Sequence, residues 1–428
     1  MKISVITLNP GVDRISYLPS PARLGTLNRA VRTVVSQGSK GANVAIMLRR
    51  LGHEPAYFTF SGGALGGLSE SFTDREGVDG RFTAAACGVR MNVKIIDSDG
   101  VCTEFNERGG PVAPDELSSL VAAALDYRPD LVVINGSLPQ GVPPDIYGRL
   151  VAKFNEMGAY TVLDADGDAM RHGLDARPRL IKPNVRELCG IVGCDESELD
   201  SPERLADAML ATRARFGCDV ICTLDSRGAV GLCGAGRIDS RGQSGREKAG
   251  CVNPAGCVNP AGCSNPADCV NPAGCGDPAG FGNPADCVNP AGCGNPAGFG
   301  NPAGCSNPAG CGNPAGCGNP VDCVNLAGCS GPGAADTSYT ADTADTAEMW
   351  RVSAAPVRLR GFSGAGDTFL ASYLHRRLLG DKTPQSLAYA AAAAGAKVEL
   401  EGTELPTPRR AEELLPYIKT EKLFIKNS

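Results

Sequence analysis

Short apolar segments alternate with helical stretches along most of the chain, and few folds accommodate that alternation. Strand-like runs of buried type occur at residues 131–134, 160–163, 180–181 and 220–224. Residues 145–157 and 202–216, which lie between these runs, have helical character. Strands that are apolar on both faces are typical of parallel sheets covered by helices on each side. The alternation therefore predicts an α/β fold with a doubly wound, mostly parallel sheet.

Polar or glycine-containing clusters follow several of these strands directly. They begin at Asn135, Asp164, Lys182 and Asp225. In open α/β sheets the ligand crevice lies beyond the carboxyl ends of the strands. The clusters therefore predict a ligand site at that edge of the sheet.

A six-residue repeat interrupts the alternation between residues 251 and 329. Cys holds the repeating position twelve times, and Phe281 and Phe299 hold it otherwise. Pro and Gly in nearly every unit remove helix and ladder hydrogen bonds, and little apolar surface is present to offset ordering entropy. We expect residues 246–345 to be a largely disordered insertion in a hairpin loop, followed by strands at 350–352 and 356–359. Residues 1–245 and 346–428 then form the folded domain.

Two other interpretations of the repeat are less favoured. A hexapeptide solenoid would have to place a proline in nearly every coil without large aliphatic residues. A soft-metal site would have to use evenly spaced cysteines with no histidine, which does not match the usual zinc spacings.

Charge and hydropathy exclude several functional classes. Residues 249–350 contain eight acidic residues and no Lys or Arg, so the rest of the chain is nearly neutral although the net charge is −6. A nearly neutral body argues against broad nucleic-acid binding, which needs a basic face. The apolar runs are too short to cross a membrane, and residues 1–8 are more typical of a strand than of a signal peptide. We therefore expect a cytoplasmic protein without a membrane partner.

Two glycine-rich turns carry the most chemical information. Residues 361–367 end on Asp367 and open an apolar-faced helix. Backbone N–H groups at such a turn bind phosphate, and an ionised Asp367 is suited to accept a proton from a hydroxyl that attacks a γ-phosphate. Residues 37–45 form a second turn, with Lys40 and Asn43 at its mouth. Neither turn is a P-loop, and no dinucleotide-binding glycine motif follows the first strand.

These turns and the segments between them resemble the ribokinase-like carbohydrate kinases, specifically the phosphofructokinase B branch. The resemblance extends from residues 7–13 to residues 401–403 and includes, in family order, residues 38–45, 62–63, 90–94, 135–139, 182–187 and 364–367. Residues 7–10 and 90–94 look most like 1-phosphofructokinase, with tagatose-6-phosphate kinase close.

The resemblance implies a role for each matching position. The substrate-binding residues would be Asp13, Gly38, Lys40, Gly41, Asn43, Arg90 and Ser137, of which Arg90 and Ser137 would hold the phosphate that the sugar already carries. The nucleotide-binding residues would be Lys182, Asn184, Glu187, Thr223, Ser226 and Gly228. Gly364, Ala365 and Gly366 would form the anion hole, and Asp367 would be the catalytic base.

The implied activity is transfer of a phosphoryl group from ATP, with Mg²⁺, to fructose 1-phosphate. Tagatose 6-phosphate or fructose 6-phosphate is the alternative substrate, and a catalytically weak sugar-phosphate sensor is the alternative function. Glu187 would act on the magnesium through water. Residues 14–35 and 82–105 would form a β-strand lid that closes over the sugar and makes a homodimer contact.

Four positions depart from the family pattern. Ser39 stands where a second glycine is more frequent, and Val89 stands where threonine is usual. Asp225 replaces a glycine and adds negative charge near the expected nucleotide phosphates, and Phe362 replaces a small hydroxyl residue before the anion hole. These departures leave weak nucleotide binding open.

Overall fold

The described part of the chain comprises residues 1–234, 236, 238, 347–361 and 363–423 of a computed structural model. All of these residues belong to one structural unit, assembled from Met1–Glu247 and Thr343–Ser428. The expected insertion at residues 246–345 and the departure at Phe362 lie outside the described residues. The disorder and the limits of the insertion therefore stay predictions.

A ten-stranded sheet forms the centre of the described part. Its strands are, in order across the sheet, β14 (Thr420–Leu423), β13 (Glu348–Val352), β12 (Ala229–Cys233), β11 (Asp219–Thr223), β10 (Leu180–Ile181), β9 (Tyr160–Asp164), β8 (Leu131–Asn135), β1 (Ile3–Thr7), β4 (Pro55–Ser61) and β5 (Asp79–Ala84). Neighbours from β11 to β5 are parallel, whereas β12, β13 and β14 each run antiparallel to the previous strand. The predicted mostly parallel α/β sheet is confirmed.

Helices cover both faces of this sheet. One face carries α1 (Lys40–Arg50), α8 (Ala365–Leu378) and α9 (Thr383–Val398), with α10 (Pro408–Leu414) packed on α9. The opposite face carries α3 (Pro114–Asp126), α4 (Ile146–Glu156), α5 (Gly167–Asp175), α6 (Val185–Val192) and α7 (Pro202–Phe216), and α2 (Gly66–Asp74) packs against β4 and β5. In β8, Val132 and Ile134 enter one core cluster while Leu131 and Val133 enter the other. Burial on both faces explains why such strands are continuously apolar.

A second, four-stranded sheet stands apart from the first. Its order is β3 (Arg32–Gln37), β2 (Gly11–Tyr17), β6 (Arg90–Ile96) and β7 (Cys102–Asn106). Its strands include parts of both ranges that the sequence assigns to a lid. The range 82–105 begins too early, however, because Phe82 lies in β5 and pairs there with Thr59 of β4.

One predicted strand is absent and another was not anticipated. Residues 356–359 have no regular secondary structure. Pro356 cannot donate a ladder hydrogen bond, and the free edge of β13 is instead paired with β14 near the carboxyl terminus. No helix within the described ranges is long and apolar enough to span a bilayer.

The strands on either side of the repeat are hydrogen-bonded neighbours. β12 and β13 pair antiparallel, with Cys233 opposite Glu348. Arg377 of α8 donates to the carbonyl oxygen of Gly236, and Ile238 is buried in the core cluster that also contains apolar residues of α8. The chain therefore leaves the sheet after β12 and re-enters it beside the point of departure.

Candidate active site

A cleft of about 930 Å³ lies between the small sheet and the carboxyl ends of the large sheet. The small sheet contributes Arg90, Asn92, Lys94, Glu104 and Asn106. The predicted site residues that line the cleft are Gly38, Lys40, Asn43, Arg90, Lys182, Asn184, Glu187, Thr223, Ser226, Gly228, Gly364, Ala365, Gly366 and Asp367. Residues distant in the sequence thus meet where parallel strands end.

Three predicted substrate-binding residues do not line the cleft. Asp13 lies behind it, because its carboxylate is buried against Gly38 and Asn92. Gly41 packs at the start of α1, where any Cβ would collide with Thr7 of β1. Ser137 follows β8, and its hydroxyl accepts a hydrogen bond from Asn9 Nδ2 at 3.0 Å. The structure thus shows a packing requirement at Gly41 and a contact with Asn9 at Ser137.

The glycine-rich turn and Asp367 form the floor of the cleft. Gly364 precedes α8 with φ +85°, a left-handed conformation that favours glycine. Asp367 lies in the first turn of α8, and its Oδ2 accepts a hydrogen bond of 2.9 Å from Asn43 Nδ2. Burial raises the pKa of Asp367 to about 6, although Lys40 opposes that shift. At neutral pH the carboxylate is therefore ionised, and it is more basic than an ordinary aspartate.

A buried carboxylate fixes two lysines at the same edge. Asp164 ends β9 and is fully buried, with Lys40 Nζ at 3.3 Å from Oδ1 and Lys182 Nζ at 3.2 Å from Oδ2. Burial alone would raise the pKa of Asp164, but Lys182 and Lys40 together hold it below its usual value. The same pairing raises the pKa of Lys40. Lys40 therefore remains charged, and its position beside Lys182 at the cleft suits binding of phosphate groups.

A chain of polar contacts connects the small sheet to the glycine turn. Lys94 of β6 is buried, and its Nζ lies 2.8 Å from Asp13 Oδ2 and donates to Ser363 Oγ at 2.6 Å. Asn92 of the same strand donates from Nδ2 to the other Asp13 oxygen at 2.9 Å. The sequence motif around Arg90 drew attention to this strand, but only the fold shows that Lys94 reaches the turn before α8.

Asn184 and Glu187 form the amino-terminal cap of α6. Asn184 Oδ1 accepts from the Glu187 backbone N–H at 2.8 Å, and Glu187 Oε2 accepts from the Asn184 backbone N–H at 2.8 Å. This reciprocal pair is a capping box, which satisfies two backbone donors of the helix. One carboxylate oxygen of Glu187 is thereby used in the cap, and both side chains still border the cleft.

The expected nucleotide side of the cleft is shaped by the turn after β11. Thr223 ends β11 beside Asn184, and a one-turn helix at Asp225–Arg227 places Ser226 at the wall. Gly228 has φ +92°, and a Cβ there would collide with the carbonyl oxygen of Val352. Asp225 has φ +51°, unusual for a residue with a side chain.

The departure at Ser39 also has a structural counterpart. Ser39 precedes α1, and its hydroxyl is 2.8 Å from the hydroxyl of Tyr57 in a buried position. The serine therefore makes a contact with β4 that a glycine could not make.

A family model described as pfkB family carbohydrate kinase matches residues 6–239 of this chain. The chain belongs to the pfkB family of carbohydrate kinases, and it is a phosphotransferase with an alcohol group as acceptor.

Two curated relatives make the comparison more specific. The 1-phosphofructokinase of Escherichia coli strain K12 is 31% identical over 242 residues, which are 55% of this chain and 75% of the relative. The 1-phosphofructokinase of Haemophilus influenzae is 30% identical over 253 residues, 59% of this chain and 78% of the relative. These relatives support a sugar-phosphate kinase.

Solved structures agree on the fold. Phosphofructokinase-2 from Escherichia coli in complex with substrates and products has a TM-score of 0.66 at 18% identity, covering 97% of this chain and 99% of that one. Ribokinase from Arabidopsis thaliana, complexed with ribose and ATP, has a TM-score of 0.57 at 16% identity, covering 97% and 98%. At these identities the likeness establishes a ribokinase-like fold and nothing finer.

Proposed function

We propose that the chain transfers the γ-phosphoryl group of ATP to the 6-hydroxyl of fructose 1-phosphate and so forms fructose 1,6-bisphosphate. The observation that carries this proposal is the buried Asp367 at the start of α8, whose carboxylate is oriented by a hydrogen bond from Asn43 of α1. Relatives of 30–31% identity are named 1-phosphofructokinase, which favours this sugar phosphate among those the family accepts.

Asp367 would act as the general base. Its pKa of about 6 leaves it ionised at neutral pH and still able to accept the proton of the attacking hydroxyl. The backbone N–H groups at Gly364, Ala365 and Gly366 would receive the transferred phosphoryl group, because the amino end of α8 favours negative charge. Phosphoryl transfer requires mainly positioning and charge stabilisation, and this turn supplies both.

The phosphate of the substrate would bind at Arg90. Its Nη1 donates to the carbonyl oxygen of Glu107 at 2.6 Å, while its Nε is buried without a partner among the described residues. An unpaired buried donor is costly, so a ligand oxygen is the expected partner. Ser137 would join Arg90 only if its contact with Asn9 changed on binding.

The nucleotide would occupy the side of the cleft that holds Lys182, Asn184, Thr223, Ser226 and Gly228. Lys40 and Lys182, fixed by Asp164, would face its phosphates. No group of three or more potential metal-ligating side chains occurs in the described part of the chain. Glu187 lines the cleft with one carboxylate oxygen held in the cap of α6, and the other oxygen would contact magnesium carried by the nucleotide through water, because Mg²⁺ usually keeps several waters and few protein ligands. Bound magnesium would neutralise phosphate charge.

The small sheet would serve as a lid over the sugar. It contributes one wall of the cleft, and closure would exclude water that otherwise competes as acceptor. A homodimer through this sheet and a cytoplasmic location stay predictions.

The first test is ADP release with Mg²⁺ATP against fructose 1-phosphate, fructose 6-phosphate and tagatose 6-phosphate. A preference for fructose 1-phosphate in kcat/KM is expected. Preference for one of the other two sugars would keep the mechanism and replace the substrate. Absence of turnover with all three, from protein that is folded by circular dichroism, would contradict the proposed kinase reaction.

The second test addresses the base. Asp367→Asn should lower kcat by about 10²–10⁴-fold while sugar-phosphate affinity is retained. In the unchanged protein, kcat/KM should rise with pH through about 6 as Asp367 loses its proton, and this acidic limb should be absent from the variant. Asp126→Asn, an exposed carboxylate at the end of α3, is the control and should leave kcat unchanged. Equal loss in both variants, or none in either, would reject the assignment.

The alternative function is a sugar-phosphate sensor with weak kinase activity, and Asp225 is the observation that favours it. Its carboxylate lines the nucleotide side of the cleft and would repel phosphate oxygens. A sensor would bind fructose 1-phosphate normally in calorimetry and show a raised KM for ATP. An ordinary ATP KM would exclude it.

A further inference from the structure

Lys397 is a fully buried lysine to which the proposed reaction gives no role. It lies next to the carboxyl end of α9, and none of its side chain is exposed. Lysine is among the residues least often buried, since removing an ammonium ion from water costs free energy unless neighbours compensate. Its surroundings therefore need a physical explanation.

The ammonium group has incomplete compensation. Nζ donates to the carbonyl oxygen of Gly402 at 2.9 Å, and this is its one hydrogen bond to the described residues, although an ammonium has three donors. Burial, with a smaller effect from Lys94, lowers the pKa of Lys397 to about 8, while Glu404 and Asp367 oppose the shift. If the hydrogen bond to the Gly402 carbonyl had only a structural role, a neutral donor could make it, and a charged group would not be required.

The side chain packs against the turn that precedes α8. The Cε of Lys397 is 3.5 Å from the position that a Cβ on Gly364 would occupy. The backbone N–H groups of Arg360 and Gly361 donate to the carbonyl oxygen of Val398, at 2.7 and 3.2 Å. The end of α9 therefore makes two contacts near the glycine turn. The Val398 carbonyl binds the chain just before the turn, and the Lys397 ammonium binds the loop at Gly402.

We propose that Lys397 is a positioning residue for phosphoryl transfer: its ammonium group, fixed on the Gly402 carbonyl, adds positive charge behind Gly364 and beneath the anion-binding turn. This inference rests on the proposed function. The helix terminus offers only a partial charge of about +0.5. A full charge in surroundings from which water is excluded acts more strongly on an anion in the turn.

Lys397→Met tests the proposal, because methionine keeps the chain length and removes the charge. We expect kcat to fall at least about tenfold, with the KM for sugar phosphate unchanged, because the lost charge lies beneath the turn that receives phosphate groups of the nucleotide and not at the sugar phosphate. The melting temperature should stay equal or rise, since a buried charge is removed. Lys382→Met, an exposed lysine that precedes the same helix, is the matched control and should change nothing. An unchanged kcat in folded Lys397→Met would overturn the proposal.

The pH dependence of kcat/KM for ATP distinguishes a role for the charge of Lys397 from a purely structural role, because a purely structural role would produce no alkaline limb. In the unchanged protein kcat/KM for ATP should fall above pH 8, as Lys397 in the free enzyme loses its proton, and should level off at the value of Lys397→Met. Lys397→Met should lack this alkaline limb. Asp367, whose pKa is near 6, cannot produce it. An alkaline limb that persists in the variant would assign the limb to another group and contradict the proposal.

A second variant covers the case in which Lys397→Met does not fold. In Lys397→Ala, added n-propylammonium should restore part of kcat in a saturable manner, whereas n-propanol should not. Restoration by neither compound, or by both equally, would argue against a role for the charge.

Equilibrium binding separates failure of this inference from failure of the proposed function. If the unchanged protein phosphorylates none of the three sugars, ATP binding can still be measured by calorimetry at pH 7 and pH 9. Weaker binding by Lys397→Met at pH 7, and convergence of the two proteins at pH 9, would support a cation behind the turn. Equal affinities at both pH values would overturn it.

Discussion

Asp225 is one of three non-glycine residues with a left-handed backbone among the described residues, together with Arg128 and Arg177. An L-residue in this conformation costs about 1–2 kcal/mol relative to its ordinary conformations. Asp225 also lines the cleft where nucleotide phosphates are expected. The Asp225 side chain is therefore unfavourable in two ways: it strains the local backbone, and its negative charge repels the phosphates of the proposed ligand.

Replacing Asp225 by glycine should relieve both effects. Asp225→Gly is expected to raise the free energy of unfolding by up to about 1 kcal/mol. Glycine relieves the strain of the left-handed backbone, but it also increases the conformational entropy of the unfolded chain, which offsets part of that gain. It should also lower the KM for ATP, since a negative charge is removed from the cleft. Urea denaturation and ADP-release kinetics measure the two effects.

Arg177 supplies the control for that prediction. It has φ +56° and is exposed after α5, outside the cleft residues. Arg177→Gly should stabilise the protein by a similar amount without altering the KM for ATP. A KM that falls equally in both variants would show that the effect at Asp225 is not electrostatic.

At the level of single residues, the sequence indicated which residues have suitable chemistry better than it indicated which side chains they contact. Asp367 and the glycine turn were recognisable because helix-entry turns have a local signature. The ion pair between Asp164 and Lys182 and the contact of Lys94 with Ser363 had none, because each joins residues on separate elements. Ser137 shows the converse, since its motif was recognisable but its hydroxyl faces Asn9.

At the level of elements, the two residues that cap α6, Asn184 and Glu187, also line the cleft, so the cap has a structural and a proposed functional role. Asn184→Ala removes the acceptor for the Glu187 N–H and should lower the free energy of unfolding by about 1 kcal/mol. It should also raise the KM for ATP, because the Asn184 side chain is lost from the cleft wall where the nucleotide is expected. Thermal denaturation and steady-state kinetics measure these changes.

Ser201 makes the matched comparison on the next helix. Its Oγ accepts from the backbone N–H of Arg204 at 3.2 Å and caps α7, away from the cleft residues. Ser201→Ala should cost a similar stability and leave the KM for ATP unchanged. If both variants raised KM alike, the cap of α6 would have no specific part in nucleotide binding.

The pattern of elements was largely predictable because buried parallel strands and amphipathic helices have distinct periods. The strand at Leu180–Ile181 and the helix at Pro202–Phe216 coincide with the predicted segments. The sequence did not reveal that β14 would cover the edge of β13, because a short polar strand such as Thr420–Leu423 has no apolar signature. The range predicted for the lid includes Phe82, which lies in β5 of the large sheet, because the polarity of β5 is too irregular to assign it to either sheet from the sequence.

At the level of the whole molecule, the pairing of β12 with β13 predicts that the repeat is dispensable for catalysis. A chain in which residues 241–345 are replaced by about ten Gly and Ser residues keeps Gly236 and Ile238, which contact the body near α8. We expect its kcat and KM values to lie within about twofold of the full chain, since surface loops tolerate changes in length. Loss of activity from a folded deletion variant would give the repeat a catalytic part.

The same adjacency has a consequence for heredity. Cys233 and Glu348 face each other across one ladder, and this pairing does not require a particular number of residues between the two strands in the sequence. Gain or loss of one repeat, six codons at a time, would leave the reading frame and every strand pair unchanged. Natural populations should therefore carry alleles that differ in repeat number but encode kinases of equal efficiency.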